Sequence, residues 1–313
     1  MKVILADGNA VGYSSQQTRA LTTNAGEPTQ AIFHSIKSVW GLKSRYKEHT
    51  PMFLWDSHTQ WRYDILPEYK GKREEYKQQV EMREEYRTQR PYIQEALKLM
   101  GVIQVQHEGY EADDIAGVYA RKINNMNDSE AVLYTGDKDW LQLVGENVIF
   151  HEIGSDRRVS LKNFQRVTGF SNPIEFLQAK ALHGDSSDNI SGVGGIGEKT
   201  ADLLMQKYGS VKRLLQDHKS HGNFDKGYFE NSSLNRARNK INAFCNNDSS
   251  GIDLYKRNLK LMNLHRITPP KSGFFRQRQT PDLEGFKDFC MRWEMISLVE
   301  KAERIFTDMG YLK

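Results

Sequence analysis

Three aspartates each follow closely on a short apolar run of strand length. They are Asp7, Asp56 and Asp137, the last of them after an intervening Thr-Gly pair. In a parallel sheet every strand ends at the same edge, and open α/β folds bind their ligands at that edge. We therefore expect these three carboxylates to lie close together. For any one of them alone, the alternative of a turn former or helix cap stays open.

Six more acids occur in tight groups elsewhere in the chain. They are Glu111, Asp113, Asp114, Asp139, Asp185 and Asp188. Glu111 and Asp114 are three residues apart at the start of a predicted helix, so they share one of its faces. Each group has the alternative explanation that acids are favoured at helix N-termini.

Nine carboxylates at one edge of a fold would repel one another unless cations neutralise them. A set of carboxylates without His or Cys partners suits magnesium or manganese rather than zinc. Two such ions, roughly 3.5–4 Å apart, would suit the hydrolysis of a phosphodiester bond. If the acids converge, the sequence therefore predicts a two-metal site.

Short apolar runs alternate with stretches of helical periodicity over the first half of the chain. This alternation predicts an α/β fold with a mainly parallel central sheet flanked by helices. After about residue 172 the pattern changes to helices punctuated by glycine. We expect an α/β core at 1–171, a helical DNA-binding region at 172–250 and a C-terminal helical extension at 251–313 that packs on the core.

Bulk properties exclude several classes of protein. The 313 residues contain no apolar run near the ~20 residues of a membrane span, so we expect a cytoplasmic protein without membrane contact. The two cysteines, Cys245 and Cys290, fit buried thiols better than a disulfide framework or a zinc cage. The net charge of +4 is mild, but Lys207 to Lys240 holds eight basic and three acidic residues. That segment either contacts phosphate or is a solvated helical surface.

A glycine-rich segment runs from Gly192 to Thr200 and contains the pattern G-x-G-x-x-G. A polar segment precedes it where a dinucleotide-binding fingerprint requires a strand, and Glu198 interrupts the spacing of a phosphate-binding P-loop. The remaining interpretation is a hairpin between two helices whose backbone amides face a phosphate of duplex DNA. The candidate DNA-binding residues are Gly192, Gly194, Gly195, Gly197, Lys199, Thr200 and Lys207.

The stretch from Arg62 to Arg90 is dense in alternating charge, with eight basic residues, seven acidic residues and four tyrosines. Little apolar face is available there, so the stretch is either a solvated excursion or a salt-laced surface helix.

Several segments together resemble the 5′ nuclease superfamily of flap endonucleases, bacteriophage 5′ exonucleases and the 5′-nuclease domains of bacterial DNA polymerase I. The resemblance covers roughly residues 1 to 215 and is highly specific. It is carried by Leu5-Ala6-Asp7-Gly8-Asn9, Trp55-Asp56, Leu66-Pro67-Glu68-Tyr69-Lys70-Gly71-Lys72-Arg73, Glu111-Ala112-Asp113-Asp114, Thr135-Gly136-Asp137-Lys138-Asp139 and Gly184-Asp185-Ser186-Ser187-Asp188-Asn189-Ile190.

The resemblance implies a PIN-like fold with a helical arch at about 60–92 and a helix-three-turn-helix element around the hairpin at 192–197. It implies that Asp7, Asp56, Glu111, Asp113 and Asp114 surround the catalytic metal, with Asp137, Asp139, Asp185 and Asp188 around a second one. Lys70 and Arg73 would place positive charge on the scissile phosphate, with Arg62 a weaker candidate, and Tyr69 would stack on a base beside the cut. A potassium ion at the hairpin is also implied, although Gly194 stands where relatives commonly have proline.

The leading hypothesis is a monomeric, metal-dependent 5′→3′ exonuclease and flap endonuclease. Its substrates would be duplex DNA with a single-stranded 5′ flap, a nick or an RNA primer, and its partner a polymerase or single-strand-binding protein. Two alternatives remain at this point. One is a structure-specific DNA-binding protein without turnover, and the other is a carboxylate-rich metal phosphatase that acts on small nucleotides.

Overall fold

The fold is built on one twisted sheet with helices on both faces. The computed structural model describes residues 1–17, 20–74 and 77–312. The strands are β1 (Lys2–Asp7), β2 (Thr50–Trp55), β3 (Ile103–His107), β4 (Glu130–Thr135), β5 (Val148–Glu152), β6 (Arg158–Val159), β7 (Gly184–Asp185), β8 (Ile190–Ser191) and β9 (Phe274–Gln277).

The helices of the first half include the long helix that follows the charged stretch. They are α1 (Gly8–Ser14), α2 (Gln30–Arg45), α3 (Gln60–Ile65), α4 (Lys77–Leu99), α5 (Ala112–Asn124) and α6 (Phe164–Thr168). The helices of the second half are α7 (Pro173–His183), α8 (Glu198–Tyr208), α9 (Val211–His221), α10 (Ser232–Cys245), α11 (Gly251–Met262), α12 (Leu283–Arg292), α13 (Ile296–Val299) and α14 (Ala302–Asp308). Among the described ranges, no helix is long and apolar enough to cross a membrane.

The main sheet has the strand order β6-β5-β4-β1-β2-β3-β9. The five central strands are parallel, and the two edge strands β6 and β9 are antiparallel to their neighbours. The predicted mainly parallel sheet is therefore confirmed. The three strands that run into acids, β1, β2 and β4, are adjacent, so Asp7, Asp56 and Asp137 reach the same edge.

Both faces of the sheet are buried, which explains why its strands read as continuous apolar runs. Along β1, Val3 and Leu5 pack into a core with α5, whereas Ile4 and Ala6 pack into a second core with α2, α4 and α12. The first core continues without a break into α8 and α10. The helical region is thus joined to the α/β part through shared apolar contacts.

The C-terminal part contains one strand that the sequence pattern does not reveal. Residues after 251 were expected to be helical, but β9 adds to β3 at the edge of the main sheet. Its outer residues are exposed, so it lacks the alternation of apolar and polar residues that would mark a half-buried strand. The expected extension is therefore a mixture of helices and one edge strand.

Asn258 fastens α11 to the start of the glycine hairpin. Its side chain is fully buried, and its Nδ2 donates hydrogen bonds to the carbonyl oxygens of Ala181, at 3.0 Å, and Ser191, at 2.9 Å. These bonds provide a donor for one carbonyl group near the end of α7 and for one at the end of β8.

We predict that Asn258→Ala lowers the free energy of unfolding by about 2–4 kcal/mol, because it leaves two carbonyl groups without their donor. Asn246→Ala, which removes an exposed amide bonded to Asn223, should change it by about 0.5 kcal/mol or less. Urea unfolding followed by circular dichroism measures both. Equal stability of the two variants would contradict the role given to Asn258.

Candidate active site

A cleft at the carboxyl edge of the sheet collects acids from separate parts of the chain. The cavity measures about 440 Å³ and lies between the sheet edge and α4. The acids that line it are Asp7, Asp56, Asp113, Asp137 and Asp188. Convergence of the strand ends therefore occurs as the parallel topology requires.

Within the described part of the chain, Asp7, Asp56, Asp113 and Asp137 accept hydrogen bonds from uncharged groups alone. Asp7 accepts from the backbone N–H of Ala10, at 2.9 Å, and from the Thr135 hydroxyl, at 3.0 Å. Asp113 accepts from the indole N–H of Trp140 at 2.6 Å.

Asp56 and Asp137 are held in the same way. Asp56 accepts from the Asn9 amide, at 2.6 Å, and from the N–H of Ala112, at 2.7 Å. Asp137 accepts from the N–H of Asp139 at 2.8 Å. Across residues 1–17, 20–74 and 77–312, none of the four forms an ion pair with a lysine or arginine.

The crowding of negative charge shows in the pKa values of these acids. Burial, reinforced by the charge of Asp56, raises the pKa of Asp7 to about 6. Burial also raises the pKa of Asp113, and repulsion from Asp137 and Asp7 raises it further. Desolvation and the neighbouring Asp139 raise the pKa of Asp137 to about 7, although Asp137 keeps an exposed surface. The cleft therefore favours any cation that can enter it.

A second carboxylate group already contains a cation of the protein itself. Lys180, on α7, forms ion pairs with Asp139 and with Asp185, the latter at 3.0 Å. Burial acts in the opposite direction, but the attraction of Lys180 and the hydrogen bonds from Ser187 lower the pKa of Asp185 to about 2. Within the described residues, some of the nine predicted acids thus form an ion pair with a lysine or arginine, as Asp139 and Asp185 do, whereas Asp7, Asp56, Asp113 and Asp137 do not.

Asp114 does not belong to the cleft, and this corrects the expectation that it surrounds a metal. Its side chain is fully buried, and both of its oxygens are bound by the guanidinium group of Arg62, at 2.6 and 2.8 Å. One of them also accepts from the N–H of Glu111 at the start of α5. Asp113 and Asp114 are adjacent on a helix, so only one of them can face the cleft.

The expectation for Arg62 is corrected with it. Arg62 is 3% exposed and lies between Asp114 and Glu111, 3.3 Å from the latter. Burial opposes its charge, but these two carboxylates outweigh the burial and raise the pKa of Arg62 above its usual value. Arg62 therefore neutralises two buried carboxylates, and its guanidinium group is not exposed to a phosphate in the cleft.

Tyr69 is likewise unable to stack on a base, because only 3% of it is exposed. Its hydroxyl lies 3.1 Å from Glu111 and 3.0 Å from Asp188. Tyr69 therefore positions two acids instead of contacting substrate.

Lys70 does face the cleft. Its ammonium group donates to Glu111 at 2.5 Å, and its backbone N–H donates to the carbonyl oxygen of Asp188. Its φ of 58° is in the left-handed region, a conformation that costs a non-glycine residue on the order of 1 kcal/mol. The surrounding contacts therefore hold this lysine at a fixed place beside the acids. The side chain of Arg73, the other predicted partner of the phosphate, lies outside the described residues.

Sequence reasoning missed several residues that line the cleft. Arg83, Arg87 and Arg90 on α4 face it together, and their spacing of four and three residues was available as a signal. Asn9 was quoted only as part of a motif, yet it donates to Asp56 and accepts from the hydroxyl of Tyr86. Lys180 had no signal in the sequence, because its partners are on other segments.

The glycine segment forms the predicted hairpin between α7 and α8. The N–H of Val193 bonds to the carbonyl oxygen of Leu182, and that of Ile196 to Val193. Gly192 lies so close to the backbone of His183 that a Cβ would meet its carbonyl oxygen at 2.2 Å. The glycine there is required by close backbone approach.

The other candidates for DNA contact lie on an open surface. Gly194, Gly195, Gly197 and Lys199 are exposed, and Thr200 is half-buried. Gly195 has a φ of 78° and packs under the side chain of Lys240, a basic residue of the Lys207 to Lys240 segment. Lys207 lies at the far end of α8, about three turns away from the hairpin.

The possible metal ligands of the cleft fit a hard divalent cation, since among the described residues that line it they are carboxylates and other oxygen groups, without His or Cys. In the described part of the chain, however, no group of three or more His, Cys, Asp or Glu side chains is arranged to hold an ion as it stands. The carboxylates hold neighbouring N–H and O–H donors instead. Binding an ion therefore requires some of these oxygens to exchange partners.

Comparison with known proteins agrees with the architecture. Residues 2–169 match the family model of the 5′-3′ exonuclease N-terminal resolvase-like domain, and residues 171–246 match that of the 5′-3′ exonuclease C-terminal SAM fold. A 5′-3′ exonuclease of Aquifex aeolicus is 28% identical over 96% of this chain and 95% of its own length. Thermostable DNA polymerase I of Thermus filiformis is 31% identical over 96% of this chain, which spans only 33% of that polymerase.

Solved structures show the same fold at lower identity. The T5 5′-exonuclease with bound divalent metal ions has a TM-score of 0.66 and 20% identity, and the match covers 100% of this chain and 99% of that one. The catalytic core of Rad2 in complex with a DNA substrate has a TM-score of 0.58 and 16% identity, over 98% and 92% of the two chains. With both of its domains matched by the family models, this chain belongs to the 5′-3′ exonuclease family.

Proposed function

We propose that this protein is a metal-dependent 5′→3′ exonuclease and flap endonuclease that hydrolyses phosphodiester bonds near the 5′ end of branched, nicked or RNA-primed DNA. The observation that carries the proposal is a set of four carboxylates, Asp7, Asp56, Asp113 and Asp137, that form no ion pair with a described residue and lie in a cleft beside Lys70. A binding protein without turnover has no need of such uncompensated charge, which destabilises the fold.

Two magnesium or manganese ions are the proposed cofactors. Asp7, Asp56 and Asp113, with Glu111, would hold the first ion, and Asp137, Asp139, Asp185 and Asp188 the second. When bound, the ions would activate the attacking water and stabilise the negative charge of the in-line transition state.

The chain itself supplies positive charge and orientation. Lys70 would exchange its contact with Glu111 for a non-bridging oxygen of the scissile phosphate, where charge accumulates during the reaction. Asn9 would keep Asp56 oriented through its amide, since Tyr86 fixes the other end of that amide. Arg73 is kept as a second phosphate contact.

Duplex DNA would bind to the glycine hairpin. The N-terminus of α8, with the hairpin amides, Lys199 and Thr200, would contact a backbone phosphate, and Lys240 extends this positive surface. These contacts read charge and shape but not sequence, so affinity should fall steeply with salt. A potassium ion held by the hairpin carbonyls is part of the same proposal.

The finer setting of the activity is also proposed. The 5′ strand would pass under the arch formed by the stretch at about 60–92. The protein would work as a cytoplasmic monomer, together with a polymerase or a single-strand-binding protein that produces or covers its substrate.

We predict that Asp56→Asn and Asp137→Asn each lower the rate of cleavage of a 5′-flap substrate in magnesium by a factor of about 100 or more. Each variant removes one of the negative charges that would hold an ion. Asp253→Asn, at an acid that is 61% exposed on α11, should leave the rate unchanged. A gel assay with a labelled flap measures all three, and undiminished cleavage by both cleft variants would overturn the proposal.

Arg62 and Lys70 should respond differently to removal of their charge. Arg62→Met should lower the free energy of unfolding by about 3–5 kcal/mol, because Asp114 is left buried and unpaired. Lys70→Met should unfold within about 1 kcal/mol of the wild type and lose a factor of about 100 or more in flap cleavage rate. Thermal unfolding and single-turnover cleavage separate the two effects, and a Lys70→Met protein with full activity would refute the role given to Lys70.

The raised pKa of Asp7 predicts a dependence of stability on pH in the absence of metal. The pKa of Asp7 is about 6 in the folded state and 3.8 in the unfolded state. The contribution of this acid to the free energy of unfolding is therefore highest below pH 4, and it falls as the pH rises from 4 to 6 and the buried acid loses its proton. Asp7→Asn has no proton to lose, so its free energy of unfolding does not fall in this way. With EDTA it should therefore equal the wild type near pH 4 and exceed it at pH 8 by on the order of 3 kcal/mol.

Manganese should reverse the order at pH 8, since the variant has lost a ligand of the ion. Differential scanning fluorimetry across pH, with EDTA or manganese, tests both statements. A constant difference between variant and wild type at every pH would count against the shifted pKa.

A further inference from the structure

A second cavity lies on the other side of the Trp55–Asp56 segment from the acid cleft. It measures about 520 Å³ and opens at the edge of the main sheet, between α4 and β9. Its lining is Trp55, Gln94, Gln104, Val105, Gln106, Phe274, Phe275, Arg276 and Gln277. We call it the β9 pocket.

The chemistry of this lining differs from that of the cleft. Four side-chain amides surround it, from Gln94 on α4, Gln104 and Gln106 on β3, and Gln277 on β9. Of the described residues around it, Arg276 is the one basic residue and none is acidic; the Arg276 side chain, opposite Val105, begins on the face of the strand turned away from α4. A ligand with hydrogen-bonding edges and negative charge is favoured, whereas a metal ion or a basic peptide is not.

Some of these amides are committed to the fold and others are not. Gln104 accepts from the indole of Trp55 and donates to the carbonyl oxygen of Gln94. The side chains of Gln94 and Gln277 make no hydrogen bond within the described ranges. These two amides can therefore donate to and accept from a ligand.

Phe275 offers an open aromatic face beside these amides, because 64% of the residue is exposed. Register places Phe275 opposite Gln106, and Gln277 opposite Gln104. All four side chains consequently share the face of the sheet that α4 covers. An exposed aromatic ring next to amides is suited to stacking on a base whose edge is hydrogen-bonded.

The backbone of β9 adds donors that point outward. The carbonyl oxygen of Gly273 accepts from the N–H of Glu108, so alternation in the antiparallel ladder directs the backbone groups of Phe275 and Gln277 toward β3. The N–H groups of Phe274 and Arg276 then face away from the sheet. The Arg276 side chain begins on the opposite face of β9 from Phe275 and Gln277, so it can meet an anion beside these N–H groups only at the outer edge of the strand.

The β9 pocket and the cleft share a wall. Both Gln106, from the pocket side, and Arg90, from the cleft side, donate to the backbone carbonyl oxygen of Asp56 at 3.1 Å. Arg90 also lies 5.2 Å from the ring of Trp55. A strand with one phosphate in the cleft has this pocket as its neighbour.

We propose that the β9 pocket binds one nucleotide of the single-stranded 5′ strand, with the base stacked on Phe275, its edge bonded by Gln94 and Gln277, and a phosphate held by Arg276 and the outward N–H groups. The identity of that strand rests on the proposed function. An exposed edge strand can also add a peptide strand, but the amides and the shared wall with the cleft favour a nucleotide.

The test places 2-aminopurine at successive positions of a single-stranded 5′ flap, and binding is measured in EDTA so that no cleavage occurs. Stacking quenches this base, so the wild type should show quenching at one or two positions of the flap. Phe275→Ala should abolish that quenching, and Phe275→Ala and Arg276→Ala should each weaken flap binding roughly tenfold. Affinity for a nicked duplex without a flap should be unchanged.

Met291→Ala and Arg304→Ala serve as matched controls, since they remove an exposed apolar and an exposed basic side chain elsewhere on the surface. Unchanged melting temperatures of all four variants exclude misfolding. Quenching that survives in Phe275→Ala, equal losses in the controls, or equal losses on flapped and flapless DNA would overturn the proposal. Absence of quenching in the wild type would also overturn the proposal, and it would favour the alternative that a peptide strand adds to β9.

Failure of the proposed function gives a different result. In magnesium, a protein that quenches the flap base but cuts no flap would refute the nuclease assignment and support the pocket. A protein that cuts flaps normally without quenching would refute the pocket alone.

Discussion

Repulsion between carboxylates at the carboxyl edge of the sheet is the constraint on which the rest of the structure depends. Parallel strands deliver Asp7, Asp56 and Asp137 to one edge, and the start of α5 adds Asp113 and Glu111. Burial alone would make such a group costly. Arg62, Lys70 and Lys180 form ion pairs with acids at the rim of the cleft. The acids at its centre form no ion pair with a described lysine or arginine. The uncompensated centre is what distinguishes a site that accepts cations from a buried salt-bridge network.

The basic residues around the cleft accordingly differ in how tightly they are held. Arg62 is enclosed by Asp114 and Glu111, and its planar guanidinium group matches a carboxylate in two bonds. Lys180 bridges two acids from α7. Lys70 donates to Glu111 and also lines the open cleft, in a strained backbone conformation. Of these three cations, Lys70 is the one that faces the cleft, so charge alone does not show which basic residue can meet a substrate.

This distinction marks the limit of what the sequence predicts. The parallel sheet and the convergence of acids follow from apolar runs that end in aspartate, because topology fixes where strand ends lie. The orientation of Asp114 does not follow, since adjacent residues on α5 point in different directions and the helix rotation is set by packing. The contacts of Tyr69 and Arg62 do not follow from the sequence either: their residue types suit substrate contact, but both side chains are buried against acids. Strand β9 has no signal in the sequence, because an exposed edge strand lacks the alternation of apolar and polar residues.

Helix α4 joins the two cavities. Arg83, Arg87, Arg90 and Gln94 are separated by four, three and four residues, so they form one stripe along the helix. The arginines line the cleft, and the glutamine lines the β9 pocket. Hydrophobic periodicity reveals the neighbouring apolar face of α4, where Ile93, Ala96 and Leu97 pack into the core. In the proposed binding mode, the change from arginine to glutamine along this stripe would follow the change from the reacting phosphate to a base. A single helix aligns positive charge with the carboxylates at one end and amides with an aromatic strand at the other, and in that mode it would set the direction in which a nucleic acid strand lies across the sheet edge.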